Sequence, residues 1–418
     1  MSGPRPISSG TSTRTTSPGR DVNAGSAGRR PEDRRATVAG VEADLRAGPA
    51  PGGGSYFGGK QAWYDAQLAE LALLIDDGEV DSLPLRRRVL REVRAAFDRL
   101  MTDEGPSLAW DDRWQSLLMV PSEFGLAEEL NDHHLQYGYW VAAASVVAEG
   151  DPESADRFGP MVESMITDFG TDRRAWNPYE GHTWASGLAP FADGNNLESI
   201  SESTHAWWAA ARWFTVTGQP DRAEPHLARF AIEGIVAGGQ WLPEEEGTGR
   251  PWTGVVWSAK TDHATWFSAA DEAALGIRLL PLGPASLAHY ADEADLDAAL
   301  ARWEWCDEGA GCTSLWSNLL ASDAAVAGVR LPAGPEPEDS TSSSMLRWWT
   351  DLWSGSGAAV HHACTVGAVA RRTPDGVLIL AANPTAEPLL LRCRDAATGR
   401  EIWSATLKPG ELRQDGPS

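Results

Sequence analysis

Three stretches of this 418-residue chain gather acids, histidines, amides and aromatics at what read as loop-to-helix junctions. The first runs from Asn131 to Trp140 and holds Asp132, His133, His134, Gln136 and Tyr137. The second runs from Gly181 through His182, Trp184, Asp193, Asn195 and Asn196 to Glu198 and Glu202. The third carries Lys260, Asp262, His263 and Trp266. Asn195 and Asn196 are good N-cap residues, so a helix is expected from Leu197. Glu198 and Glu202 would then share one face, with Glu198 in the first turn, where the helix dipole favours an anion. An ionised carboxylate there can act as a general base; the plain alternative is a solvated helix start. Asp132 stands at another helix start. As an N-cap it would be held ionised, which is wrong for a proton donor. Shielded, or beside a second carboxylate, it would keep its proton. Cap and proton donor both stay open at this point.

Other chemistries fit less well. Adjacent histidines do not share a helix face, and a catalytic zinc wants three converging ligands, so no metal centre is expected at His133-His134. The glycines between Gly181 and Gly194 form no phosphate-binding pattern, and no G-x-S-x-G elbow occurs, so no cofactor is expected. Two separated carboxyl sites without a cofactor motif suit glycoside hydrolysis, which needs a proton donor and a base or nucleophile flanking the bond.

Composition agrees. A net charge of -24 argues against nucleic acid as a partner and suits a neutral substrate. No apolar run is long enough to span a membrane. The chain holds 20 Trp against 6 Tyr and 9 Phe. So many indoles are hard to place wholly in one core, and flat aromatic faces suit the C–H faces of sugar rings. Of the four cysteines, Cys306 and Cys312 could pair across a short loop, whereas Cys364 and Cys393 lie far along the chain.

The elements that must position these groups are mainly helical. Residues 1–55, rich in Ser, Thr, Gly, Pro and Arg, are expected to be disordered. Tyr64, Leu68, Leu71 and Ile75 share one helix face, as do Val89, Val93, Phe97 and Leu100. Further helices are expected near 134–149, 154–168, 198–217, 221–237, 284–303 and 313–328. The helical domain is placed at 56–332, a linker at 333–344, and a short Trp-rich helix with a small β segment of two or three strands at 345–418.

At the three junctions the chain resembles glycoside hydrolase family 81, the endo-β-1,3-glucanases. SYFGGKQ (55–61), WDDRWQS (110–116), FGLAEELNDHHLQYGYWVAAASVVA (124–148), NPYEGHTWASG (177–187), FADGNNLESISES (191–203) and the KTDHATWF to LLPLGP stretch (260–284) occur in family order. The resemblance implies an (α/α)6 toroid, normally preceded by a β-sandwich, that hydrolyses β-1,3-glucan internally with inversion. It makes Asp132 the general acid and Glu198 or Glu202 the base, Glu198 being favoured by its expected place at the helix start. His134, Tyr137, His182, Trp184, Asp193, Asn195, Lys260 and Asp262 match motif positions that would line the cleft. It also implies an extracellular protein, although the N-terminus shows no apolar leader, so a cytoplasmic location stays open. Gln136 and Leu275 replace family histidines, and Leu197 and Ile200 replace polar residues. These departures keep a second reading alive: a catalytically weakened glucan-binding protein on the same fold.

Overall fold

Helices that are apolar all round alternate along the chain with helices that are apolar on one face. In α2 (Ser55–Leu74), Trp63, Tyr64, Ala66, Leu68, Ala69 and Leu71 are all buried. In α3 (Leu83–Leu100), only the stripe Leu85, Val89, Leu90, Val93, Phe97 and Leu100 is buried. The same alternation follows with α4 (His133–Gly150) and α5 (Pro152–Gly170), then with α6 (Ile200–Val216) and α7 (Pro220–Trp241). A helix buried on every side needs neighbours on every side, whereas a one-sided helix covers it from outside. The packing follows suit: α4 lies against both α2 and α6, and α3, α5 and α7 each back the helix before them. Inner beside inner, each with its outer partner, is the repeating unit of an (α/α)6 toroid. The inner helices approach closely, because a Cβ on Gly138 would lie 2.8 Å from that of Ala206, and one on Gly59 would lie 2.9 Å from the Trp140 indole nitrogen.

This is a computed structural model, and it describes residues 31–48, 53–74, 80–102, 106–170, 176–241, 253–283, 285–286 and 340–347, with 362–364, 368–373, 376–382, 388–395, 401–408 and 412–416. The expected helices at 284–303 and 313–328 therefore fall outside it apart from residues 285 and 286, as do Ile75, Cys306 and Cys312.

Three expectations need correction. Residues 1–55 are not wholly unstructured, for α1 (Pro31–Ala47) packs on α2 and buries Val41 completely. The Gly- and Pro-rich ends of that segment hid a seventeen-residue helix between them. The end of the expected linker is core as well. Ser340, Thr341 and Ser342 are fully buried, Thr341 accepts a hydrogen bond from the Leu282 N–H, and the Ser344 N–H donates to Asp44 on α1. Ser and Thr read as linker by composition, but their hydroxyls can satisfy a buried backbone.

The C-terminal part, too, differs from expectation and has more strands than two or three. They are β8 (His362–Cys364), β9 (Ala368–Thr373), β10 (Gly376–Ala382), β11 (Leu389–Asp395), β12 (Glu401–Leu407) and β13 (Leu412–Asp415). They form two three-stranded sheets, β13-β10-β9 and β12-β11-β8. Ile379 from one sheet packs with Leu391, Cys393 and Leu407 from the other, so the strands supply their own packing partner. Cys364 and Cys393 are cross-strand register partners, and Cys393 is disulfide-bonded.

The remaining strands are short and lie within the helical part. β1 (Ser107–Asp111) and β2 (Ser116–Val120) form a hairpin, β3 (Trp176–Asn177) pairs with β4 (His182–Thr183), and β6 (Val255–Trp257) lies between β5 (Asn196–Leu197) and β7 (Thr261–Asp262).

Candidate active site

Among the described residues, the N-terminal ends of three inner helices bring the reactive groups together: Tyr56 on α2, Asp132 just before α4, Glu198 just before α6, and Glu202 in the first turn of α6. Asp132 occupies the N-cap position of α4, yet its side chain makes no capping bond. Its backbone is left-handed (φ 58°, ψ 20°) and is tethered by its N–H to the Ala185 carbonyl at 2.8 Å. The carboxyl is therefore not spent on the free N–H groups at the start of α4. Burial first, then the charges of Glu202 and Glu198, raise the Asp132 pKa well above its ordinary value. The side chain is thus not used as a cap, and its surroundings, with two other carboxyls within electrostatic reach, favour the protonated form.

The two glutamates sit differently from the expectation. Asn196 and Leu197 belong to β5, and α6 begins only at Ile200 with Ser199 at its N-cap. Glu198 therefore precedes the helix, and it is Glu202 that lies in the first turn. The amides expected to cap instead lock the loop. Asn195 Oδ1 accepts from the N–H groups of Ser186 and Asn196, and its Nδ2 donates to Ser186 O. β5 pairs with β6, and this strand pairing overrides the capping preference of Asn.

Glu202 is fully enclosed. Its Oε1 accepts the hydroxyls of Tyr56 (2.7 Å) and Tyr139 (2.6 Å). The buried Lys60 ammonium stands over the Tyr56 ring at 4.7 Å. Burial raises the Glu202 pKa, while Lys60 and the two tyrosines oppose that rise. Glu198 is only half-buried. One oxygen, Oε1, accepts the Trp266 N–H at 2.7 Å, and burial pushes its pKa up to about 7 despite that bond. Trp266 in turn donates its indole N–H to Asn196.

Of the eight residues expected to line a cleft, three are buried within the protein. Tyr137 is inaccessible and donates its hydroxyl to Leu117 O at 2.7 Å. His182 is inaccessible, meets Trp184 edge-on at 4.3 Å, and has its pKa lowered by burial. His134, also buried, shares the lining of a small internal cavity with the partly exposed Trp184. Asp193, Lys260 and Asp262 form an ion-paired cluster, with Lys260 Nζ 2.9 Å from Asp193 and 3.2 Å from Asp262. With Asn195, this cluster fastens the β5 loop to the β6–β7 hairpin. The departures from the family pattern also point inward. Leu197 and Ile200 pack with Leu135 and Val256, and Leu275 lies in the main core. Gln136 is buried and donates to Glu123 O.

Sequence reasoning gave no site role to Tyr56, Lys60, Tyr139 or Trp266. A signal existed for two of them. Tyr56 and Lys60 are four apart at the start of α2, a spacing that shares a helix face.

The family model for the glycosyl hydrolase family 81 C-terminal domain matches residues 32–328. The chain is 32% identical over 246 residues to a glucan endo-1,3-beta-D-glucosidase of Acetivibrio thermocellus, covering 54% of this chain and 32% of that protein. It is 29% identical over 385 residues to one of Thermobifida fusca, covering 84% of this chain and 49% of that one. A third, from Glycine max, is 30% identical over 60% of this chain and 40% of its own length. The chain thus spans about a third to a half of the curated relatives it matches. Among solved structures, a family 81 glycoside hydrolase from Clostridium thermocellum superposes with a TM-score of 0.78 at 24% identity, over 92% of this chain and 56% of that one.

Proposed function

The chain belongs to glycoside hydrolase family 81, and from that premise we propose that it hydrolyses β-1,3-glucan within the chain, with inversion, through Asp132 and Glu198. The observation that carries the reading is the place of Asp132: half-buried, uncommitted to capping α4, and within electrostatic reach of Glu202 and Glu198, so that burial and those two carboxyls favour its protonated form. A carboxylic acid kept protonated in this way can deliver its proton to the glycosidic oxygen as the bond to the anomeric carbon breaks. A water on the opposite face attacks that carbon, and a carboxylate must take the water's proton.

Glu198 suits this second role better than Glu202. It has partial solvent access, and the Trp266 N–H holds one of its oxygens, leaving Oε2 for a water. Glu202 is enclosed, with two tyrosine hydroxyls on one oxygen. Any charge it carries favours the protonated form of Asp132. Inversion asks for ~6.5–9.5 Å between the acid and base carboxyls, room for the attacking water. The weakened-binder reading loses support, because Leu197, Ile200 and Leu275 fill the core and Gln136 is buried.

The test is to incubate the chain with laminarin and with linear β-1,3-oligosaccharides and to count new reducing ends. Endo-cleavage gives a spread of intermediate lengths from the first minutes. No new ends at high protein loading would overturn the reading.

A further inference from the structure

The geometry points to an aromatic sugar-binding platform made by Phe124 and Phe57, which seats a glucosyl unit of the bound chain on the Glu202 side of the site. Phe124 is 56% exposed and Phe57 40% exposed, and their ring centroids lie 6.0 Å apart. Both rings meet Tyr56 at 5.2 Å, and it is the Tyr56 hydroxyl that bonds Glu202. The platform is therefore continuous with the carboxyl cluster through one side chain.

Phe124 also holds a backbone that phenylalanine disfavours, with φ at 53°. A bulky side chain in the left-handed region is a true outlier, and such strain persists only where its surroundings fix it. Here Glu123 fixes it. Its carboxylate accepts the Tyr56 N–H at 2.6 Å and the Phe57 N–H at 3.0 Å, its N–H reaches Ser55 Oγ at 3.3 Å, and its carbonyl takes Gln136 Nε2 at 2.9 Å. One residue thus clamps the Phe124 loop to the start of α2 and to α4. The clamp stabilises a segment whose next side chain points its ring at solvent. Burial does not explain that ring, and two part-exposed, uncharged rings tilted 57° to one another offer an apolar corner that suits the C–H face of a neutral sugar.

This inference rests on the glucan reading of the site, so the test separates the two. Affinity for a linear β-1,3-glucohexaose is measured by calorimetry in an Asp132→Asn background, and thermal melting is followed in parallel. Phe124→Ala removes the ring and keeps the strained backbone, whereas Phe124→Gly removes both, because glycine accepts a positive φ freely. Both substitutions should weaken binding by roughly tenfold. Phe124→Trp should restore it, and Phe124→Gly should melt above Phe124→Ala. Binding by the Asp132→Asn parent that Phe124→Ala leaves unchanged would overturn the platform alone. The same unchanged affinity, with a change of oligomeric state in sedimentation, would assign the rings to a protein contact and overturn it too. No hexaose binding by the parent, together with no laminarin hydrolysis by the native chain, would sink the reading of the site itself.

Discussion

The left-handed backbone at Asp132 constrains what may replace it. Asp and Asn tolerate this region better than other side chains, so Asp132→Asn should fold as the native chain does. It should melt no lower, since it also removes a carboxyl from beside two others, while hydrolysis falls by about 10²–10⁴-fold. A matching loss of structure in circular dichroism would mean that Asp132 is needed for the fold rather than for proton transfer. Glu198 carries a pH prediction. Burial is the main cause of its raised pKa of about 7. A base must be ionised, so kcat/KM of the free enzyme should fall as the pH drops through about 7. Glu198→Gln should flatten that limb at a much lower rate. A limb near the ordinary glutamate value would contradict the assignment.

Between elements, the telling group is Glu233 on α7. It is inaccessible, and it accepts hydrogen bonds from Thr183 on β4 and Ser203 on α6. Burial raises its pKa from 4.5 to about 7 despite those bonds. The folded state therefore prefers the protonated form. Stability from this group is fully present below pH 4.5 and is lost as pH rises to about 7, by about 3 kcal/mol in all. Glu233→Gln should remove that slope and raise the melting temperature at pH 8 relative to the native chain. An unchanged pH dependence of melting would show that Glu233 is charged in the fold.

The inner and outer helices were legible because period and burial coincide: the stripe Val89, Val93, Phe97 and Leu100 can only cover something. Asp132 was legible as a candidate acid, but the environment that favours its proton was not, since that is set first by burial and then by Glu202 and Glu198 at the start of a helix far along the chain. The start of α6 was misplaced because Asn195 and Asn196 have cap chemistry, while the pairing of Asn196 with Trp257 is a contact 61 residues away that no local window contains. Tyr56 and Lys60 reach Glu202 from α2, and the sequence around Glu202 carries no trace of them.

Over the whole molecule, the helical part is closed by a segment that follows it by a long interval. Met345 and Leu346 are buried in the main core, and Ser344 bonds Asp44 on α1. Leu346→Ala should cost about 2–5 kcal/mol, read from denaturant unfolding. A cost near zero would mean that residues 340–347 rest on the helical part without being integral to it. At the same scale stands the proposed inverting acid–base pair for β-1,3-glucan, formed where inner-helix ends meet. Proton NMR of a linear β-1,3-oligosaccharide during the first turnovers tests it most directly, since it reads cleavage and stereochemistry together. Inverting cleavage within the chain gives the α-anomer of the new reducing end first, and Asp132→Asn gives no signal. The β-anomer appearing first, or an intact oligosaccharide, would contradict it.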